Sequence, residues 1–61
     1  MPTVIVEGPK IGIEGKRELV RRITEVVKDV YGIPHVTVLI KENLPENVGV
    51  DGELLSDRRR G

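Results

Sequence analysis

The sequence predicts an α/β (α+β) subunit: a short β-α-β unit with parallel strands and a C-terminal β-hairpin, built to assemble as an oligomer. Three observations predict it. An apolar, β-branched run stands at residues 3–7, an amphipathic stretch at 14–32 and a second apolar run at 35–43. Strand, helix and strand in that order make a parallel pair with a right-handed crossover. The 61 residues contain no internal repeat and no linker, so one domain covers 1–61.

The first element is "TVIVE", Thr3 to Glu7. Its valines and isoleucine are contiguous rather than alternating, the pattern of a strand covered on both faces. "GPK" ends it, because Pro9 has no N–H for a ladder and Gly8 loosens the backbone. In "EGKRELVRRITEVVKDVYG", Leu19, Val20, Ile23, Val26, Val27, Val30 and Tyr31 form one apolar stripe at helical spacing. Lys16, Arg17, Arg21, Arg22, Glu25, Lys28 and Asp29 fill the other face. Gly32 suits the left-handed position after the last turn, and Pro34 prevents continuation. Such a helix, about 18 residues long, spans about 27 Å.

"HVTVLIKEN" is the second strand, with Val36, Val38 and Ile40 on one face and Thr37 and Leu39 on the other. In "VGVDGEL" the Asp51-Gly52 pair marks a hairpin with a type I′ turn. The final "RRR" reads as a solvated tail.

One helix covers one sheet face, yet both strands are apolar on both faces. The second face therefore calls for another copy of the chain. Size points the same way. A chain of 6.8 kDa buries on the order of 5,900 Å² on folding. Burial then contributes roughly 85 kcal/mol, against roughly 90 kcal/mol for ordering the chain. A lone subunit sits near zero, and two strands alone are not independently stable. The chain is not a monomer.

Composition removes several classes of function. Ten acidic residues balance ten basic ones, so no net field draws nucleic acid or an anionic membrane. Tyr31 is the sole aromatic, which leaves no stacking platform for single strands. The absence of cysteine excludes disulfides, thiolate nucleophiles and Cys-based zinc sites. The start lacks a basic segment followed by an apolar core, and no apolar run reaches the ~20 residues of a membrane span. A soluble, cytoplasmic protein is expected, with no metal and no cofactor.

The start, "MPTVIVEG", carries the chemistry. A proline at position two is ordinarily incidental, tolerated because a strand's first residue need not donate. Here its neighbours change the weighing. Aminopeptidases remove an initiator methionine before a small residue, and the product is a secondary amine. An α-amino group has a reference pKa of about 7.7–8.0, with proline's higher. An apolar pocket and a nearby cation lower it, and the neutral amine is then a general base near neutral pH. Such a base takes a proton beside a carbonyl and returns it elsewhere, which is tautomerisation. The developing enolate oxygen needs a positive or hydrogen-bonding partner. While Met1 remains attached, the Pro2 nitrogen is an amide with no basic lone pair.

"MPTVIVEG", the "GKRELVRRITEVV" helix, "VTVLIKEN" and "NVGVDGELLSD" together resemble the 4-oxalocrotonate tautomerase family over nearly the whole chain. Within that family the chain is most similar to the archaeal DmpI-like members. The resemblance implies a tautomerase/MIF-like fold and a homohexamer arranged as a trimer of dimers. It also implies an amino-terminal proline, Pro2, that shuttles a proton on 2-hydroxydienoate or 2-oxo acid substrates. Family members carry an arginine after the first strand that engages a substrate carboxylate. Lys10 is the nearest cation here, in a stretch about one residue shorter, and it is a point charge without the bidentate fork. The second family arginine falls on Thr37, and the aromatic that walls the pocket falls on Val48. Pro2 is thus the catalytic candidate, with Lys10, Thr37 and Val48 as substrate-binding positions for a small anion.

Losing a bidentate arginine removes a strong charge-assisted interaction. Arg17 and Arg58–Arg60 are candidate replacements across a subunit boundary, each more commonly a solvated charge. His35 has no partner for catalysis or metal binding and reads as a structural residue at a strand end. Glu7 and Glu42 end their strands within reach of each other or of Lys10, where paired carboxylates can do acid/base work but salt bridging or solvation is the more common fate. The alternative function is a non-catalytic oligomer of the same fold that binds a small molecule or serves a structural role.

Overall fold

The computed structural model describes residues 1–58; Arg59 and Arg60, weighed above as cations, lie outside the described residues. Strand β1 (Thr3–Gly8) leads into helix α1 (Ile13–Tyr31) and strand β2 (Thr37–Glu42). A 3-10 turn at Pro45–Asn47, strands β3 (Gly49–Val50) and β4 (Glu53–Leu54), and a 3-10 turn at Leu55–Asp57 follow. β1 and β2 pair in parallel, in register from Thr3 opposite Thr37 to Gly8 opposite Glu42. The ladder runs past both ends. The Thr37 N–H donates to the Pro2 carbonyl (3.0 Å) and the Asn43 N–H to the Gly8 carbonyl (2.8 Å).

Helix α1 ends as the sequence predicts. Gly32 is left-handed, with φ 70°, and its N–H caps the Lys28 carbonyl at 2.8 Å. The predicted stripe divides. Leu19, Val20, Ile23 and Val27 are half-buried against the sheet, whereas Val26, Val30 and Tyr31 are exposed, Val30 to 79%. Two strands about 4.8 Å apart cannot cover the whole stripe of a helix about 10 Å across. Of the predicted polar face, Arg17 pairs with Glu14 (2.6 Å) and Arg21 with Glu18 (2.8 Å), both exposed. Hydrogen bonds from Arg21 and Arg22 hold the Glu18 carboxyl below its usual range. Lys16 departs from that face and reaches the sheet, bridging to Glu42 at 2.8 Å.

Val4, Val6, Val38 and Ile40 are half-buried. The other sheet face is open, and there the paired Ile5 and Leu39 are 53% and 46% exposed. Asp51 and Gly52 take positive φ, 54° and 83°, as a type I′ turn requires. The Leu55 N–H extends the β3–β4 ladder to the Val48 carbonyl at 2.9 Å.

Among the described residues none is fully buried. The chain measures 43 × 24 × 13 Å with a radius of gyration of 15.1 Å, against roughly 10 Å for a compact domain of this length. Its accessible surface of 4909 Å² exceeds the roughly 3,950 Å² of a compact monomer by roughly 950 Å². A stable interface removes roughly 800 Å² from each partner. No helix among the described residues is long and apolar enough to cross a membrane.

Candidate active site

The four residues singled out by sequence fall into two pairs at opposite ends of the sheet. Pro2 precedes β1 and is half-buried. Its carbonyl accepts the Thr37 N–H that opens the β1–β2 ladder, so the parallel register itself places Thr37 beside Pro2. The Thr37 hydroxyl lies 3.2 Å from the Met1 sulfur and donates toward it. The hydroxyl is thus turned toward the residue that precedes Pro2.

Lys10 and Val48 belong to the other end, roughly 20 Å away along the six residues of β1. Val48 lines a shallow cavity of about 330 Å³ with Glu7, Gly8, Pro9, Asn43 and Leu55. Asn43 donates from Nδ2 to Glu7 Oε1 at 3.1 Å and fixes that carboxylate at the cavity wall. Lys10 follows Pro9 and is exposed. Alternation along the strands puts Thr37, Ile5, Leu39, Glu7 and Asn43 on the open sheet face. Thr37 at one end and the Val48 cavity at the other thus flank the same uncovered apolar surface, with Lys10 in the exposed loop that follows Pro9. A larger groove, about 500 Å³ between the two 3-10 turns, is lined by Leu44, Pro45, Glu46, Leu55 and Ser56 and offers no cation.

The remaining candidates resolve simply. His35 is exposed in the connection before β2. Arg17 is engaged with Glu14 on the outer helix face, and Arg58 approaches Glu53 at 3.5 Å. Glu7 and Glu42 do not meet. Glu42 pairs with Lys16, and its carboxyl is held below the usual range chiefly by that hydrogen bond, with smaller help from the Ile11 N–H and the charge of Lys10. Sequence reasoning anticipated a salt bridge for such a strand-ending carboxylate but did not single out Lys16 as its partner. Its signal was there, in a lysine on the first turn of the helix and an acid ending the second strand.

Comparison with known proteins gives a consistent picture. The family model described as tautomerase enzyme matches residues 2–58. The structure of DmpI from Archaeoglobus fulgidus is 46% identical, covers 92% of this chain and 100% of its own, and superposes with a TM-score of 0.82. A 4-oxalocrotonate tautomerase homologue is 34% identical over the full length of both chains, with a TM-score of 0.88. YwhB, another homologue of 4-oxalocrotonate tautomerase, is 36% identical over 92% of this chain and 97% of its own, with a TM-score of 0.83. No curated protein matches the chain.

Proposed function

The chain belongs to the tautomerase family, and on that footing we propose that it is a cofactor-independent isomerase. It moves a proton within a 2-hydroxydienoate or 2-oxo acid through the nitrogen of Pro2, after Met1 has been removed. The observation that carries the reading is the Thr37 hydroxyl, 3.2 Å from the Met1 sulfur. Loss of Met1 frees the Thr37 hydroxyl from that sulfur and turns the Pro2 nitrogen into a secondary amine at the same end of the sheet.

In the forward step the Pro2 nitrogen accepts the proton of the substrate's 2-hydroxyl. The C2–O bond becomes a carbonyl, the carbon–carbon π electrons shift along the chain, and the resulting ammonium returns the proton to carbon. Substrate and product have the same atoms and oxidation level, so no oxidant or reductant takes part. The Thr37 hydroxyl donates to the oxygen on C2, where charge develops. Lys10 attracts the substrate carboxylate and Val48 supplies an apolar wall.

Pro2 and Lys10 are too far apart to serve one substrate from one chain. The active form is therefore a homo-oligomer, which the family resemblance makes a hexamer built as a trimer of dimers, and in it the Lys10–Val48 end of one copy completes the Pro2–Thr37 end of another. The surplus surface and the open Ile5–Leu39 face support this. The reading sets the enzyme in the cytoplasm, in keeping with a chain that has no cysteine.

The test is ketonisation of 2-hydroxymuconate by protein whose intact mass establishes the loss of Met1. A rate well above background is expected. It should collapse in Pro2→Ala, and fall roughly hundredfold to thousandfold in Thr37→Val, the scale of one lost hydrogen-bond donor. A Pro2→Ala protein as active as its parent would overturn the mechanism. No rate from the processed parent would favour the binding or structural role, for which the replacement of two expected pocket residues by Thr37 and Val48 is the physical reason.

A further inference from the structure

We infer that Glu42 is a positioning residue, whose carboxylate ties the β1–α1 loop to the end of β2 and so sets where Lys10 presents its charge. The inference rests on the reading of Lys10 as the cation for a substrate carboxylate.

The loop, residues 9–12, has little else to hold it. Pro9 has no N–H, and Pro9, Lys10, Ile11 and Gly12 are all exposed. Gly12 is the N-cap of α1 and gives the helix no side-chain cap. The start of the loop is secured on the open face of the sheet, by the Asn43 N–H on the Gly8 carbonyl and the Asn43 side chain on Glu7. Neither contact reaches beyond Gly8.

Glu42 acts on the other face. It stands opposite Gly8 in the ladder, and its side chain spans the loop. It accepts from Lys16 Nζ at 2.8 Å, with the two side chains only 35% and 28% exposed, and the Ile11 N–H lies near enough to help keep the carboxyl ionised. The other ion pairs of α1 among the described residues join positions three or four apart within the helix. Lys16–Glu42 is the one among them that joins helix to sheet. Lys10 lies between Gly8, held by Asn43, and the first turn of α1, held to the sheet by the Lys16–Glu42 bridge. It makes no ion pair among the described residues, so its ammonium stays available to a substrate.

The experiment measures KM and kcat for 2-hydroxymuconate in processed protein carrying Glu42→Ala, Glu42→Gln, Lys10→Ala or Glu42→Ala with Lys10→Ala. Glu42→Ala should raise KM roughly tenfold, below the hundredfold loss that misplacement by a full ångström brings, with kcat little changed. Glu42→Gln retains an acceptor for Lys16 without the charge and should raise KM by less, roughly threefold on the same scale. In the Lys10→Ala background, removing Glu42 should add nothing further, because its effect passes through Lys10. Unmoved KM in both single variants, or effects that multiply in the double variant, would overturn the assignment. Amide exchange gives a readout independent of turnover. The Ile11 amide should exchange faster in Glu42→Ala, and also, by less, in Glu42→Gln, which serves if the alanine variant fails to fold. Unchanged exchange in a folded variant counts against the tether whether or not the protein is a tautomerase, whereas absence of Pro2-dependent turnover counts against the proposed function alone.

Discussion

Replacing Leu39 with aspartate should disassemble the protein. Leu39 sits in the middle of the open sheet face opposite Ile5, and 46% of it remains exposed in one chain. Full burial of a leucine contributes about 1.5–3 kcal/mol, so covering the exposed remainder contributes about 1 kcal/mol per chain. Aspartate forfeits that amount and brings a charge whose desolvation costs several kcal/mol more. The sum is at least about 3 kcal/mol per chain, more than a hundredfold in the association constant for each copy. Sedimentation velocity across a concentration series, with far-ultraviolet circular dichroism on the same samples, reads both assembly and folding. Leu39→Ala provides the calibration, because it loses the apolar term alone and should shift association by roughly five- to tenfold. A Leu39→Asp protein that sediments and melts like its parent would refute the reasoning, since the carboxylate would then be facing water.

Two further predictions concern the fold. Gly32→Ala should destabilise by about 1 kcal/mol, because φ is 70° there and a Cβ would meet nothing within 4 Å, which makes the cost torsional. Gly15→Ala should stabilise by up to about 1 kcal/mol, since it lies inside the helix and its new methyl would touch only the Ile11 side chain, nearest at 3.4 Å; urea titration at fixed chain concentration reads both, and equal shifts of the same sign would contradict the pair. Acid should weaken the fold. Glu42 and Glu18 are held below their ordinary value of 4.5 by Lys16 and by Arg21 and Arg22, so their stabilisation is complete above that value and is lost as pH falls through the lowered folded values. The urea midpoint should therefore fall on acidification below pH 4.5, less steeply in Glu42→Gln, and a midpoint that rises there would reverse the sign.

The backbone was legible because its signals are local. Gly32 and Pro34 mark the helix end, which falls at Tyr31, and Asp51-Gly52 sits at the turn with both φ values positive. Boundaries moved by a residue or two, as at Gly8, which completes β1, and Val36, which stays outside β2. Helical spacing identified an apolar stripe but could not divide it, because the division depends on the width of the sheet beneath. Val20 and Val30 are alike in pattern, and only packing separates them. The candidate site was legible as residue types and not as a place. Pro2 and Thr37 meet because parallel register is a pairing between distant segments, and Lys10 stands apart from them because a strand has a fixed rise. The bond from Lys16 to Glu42 is likewise a product of topology, its partners standing 26 positions apart in the chain.

If the two half-sites act together as proposed, the distance between them makes activity a property of the population rather than of the molecule. On dilution below the point at which copies associate, each chain retains its proline, its threonine and its lysine, and no complete site exists anywhere in the solution. Turnover per chain then rises with chain concentration and levels off only when assembly is complete. A lesion at either end of β1 disables a site whose other half belongs to a different copy. Chains broken at opposite ends can therefore repair one another when mixed.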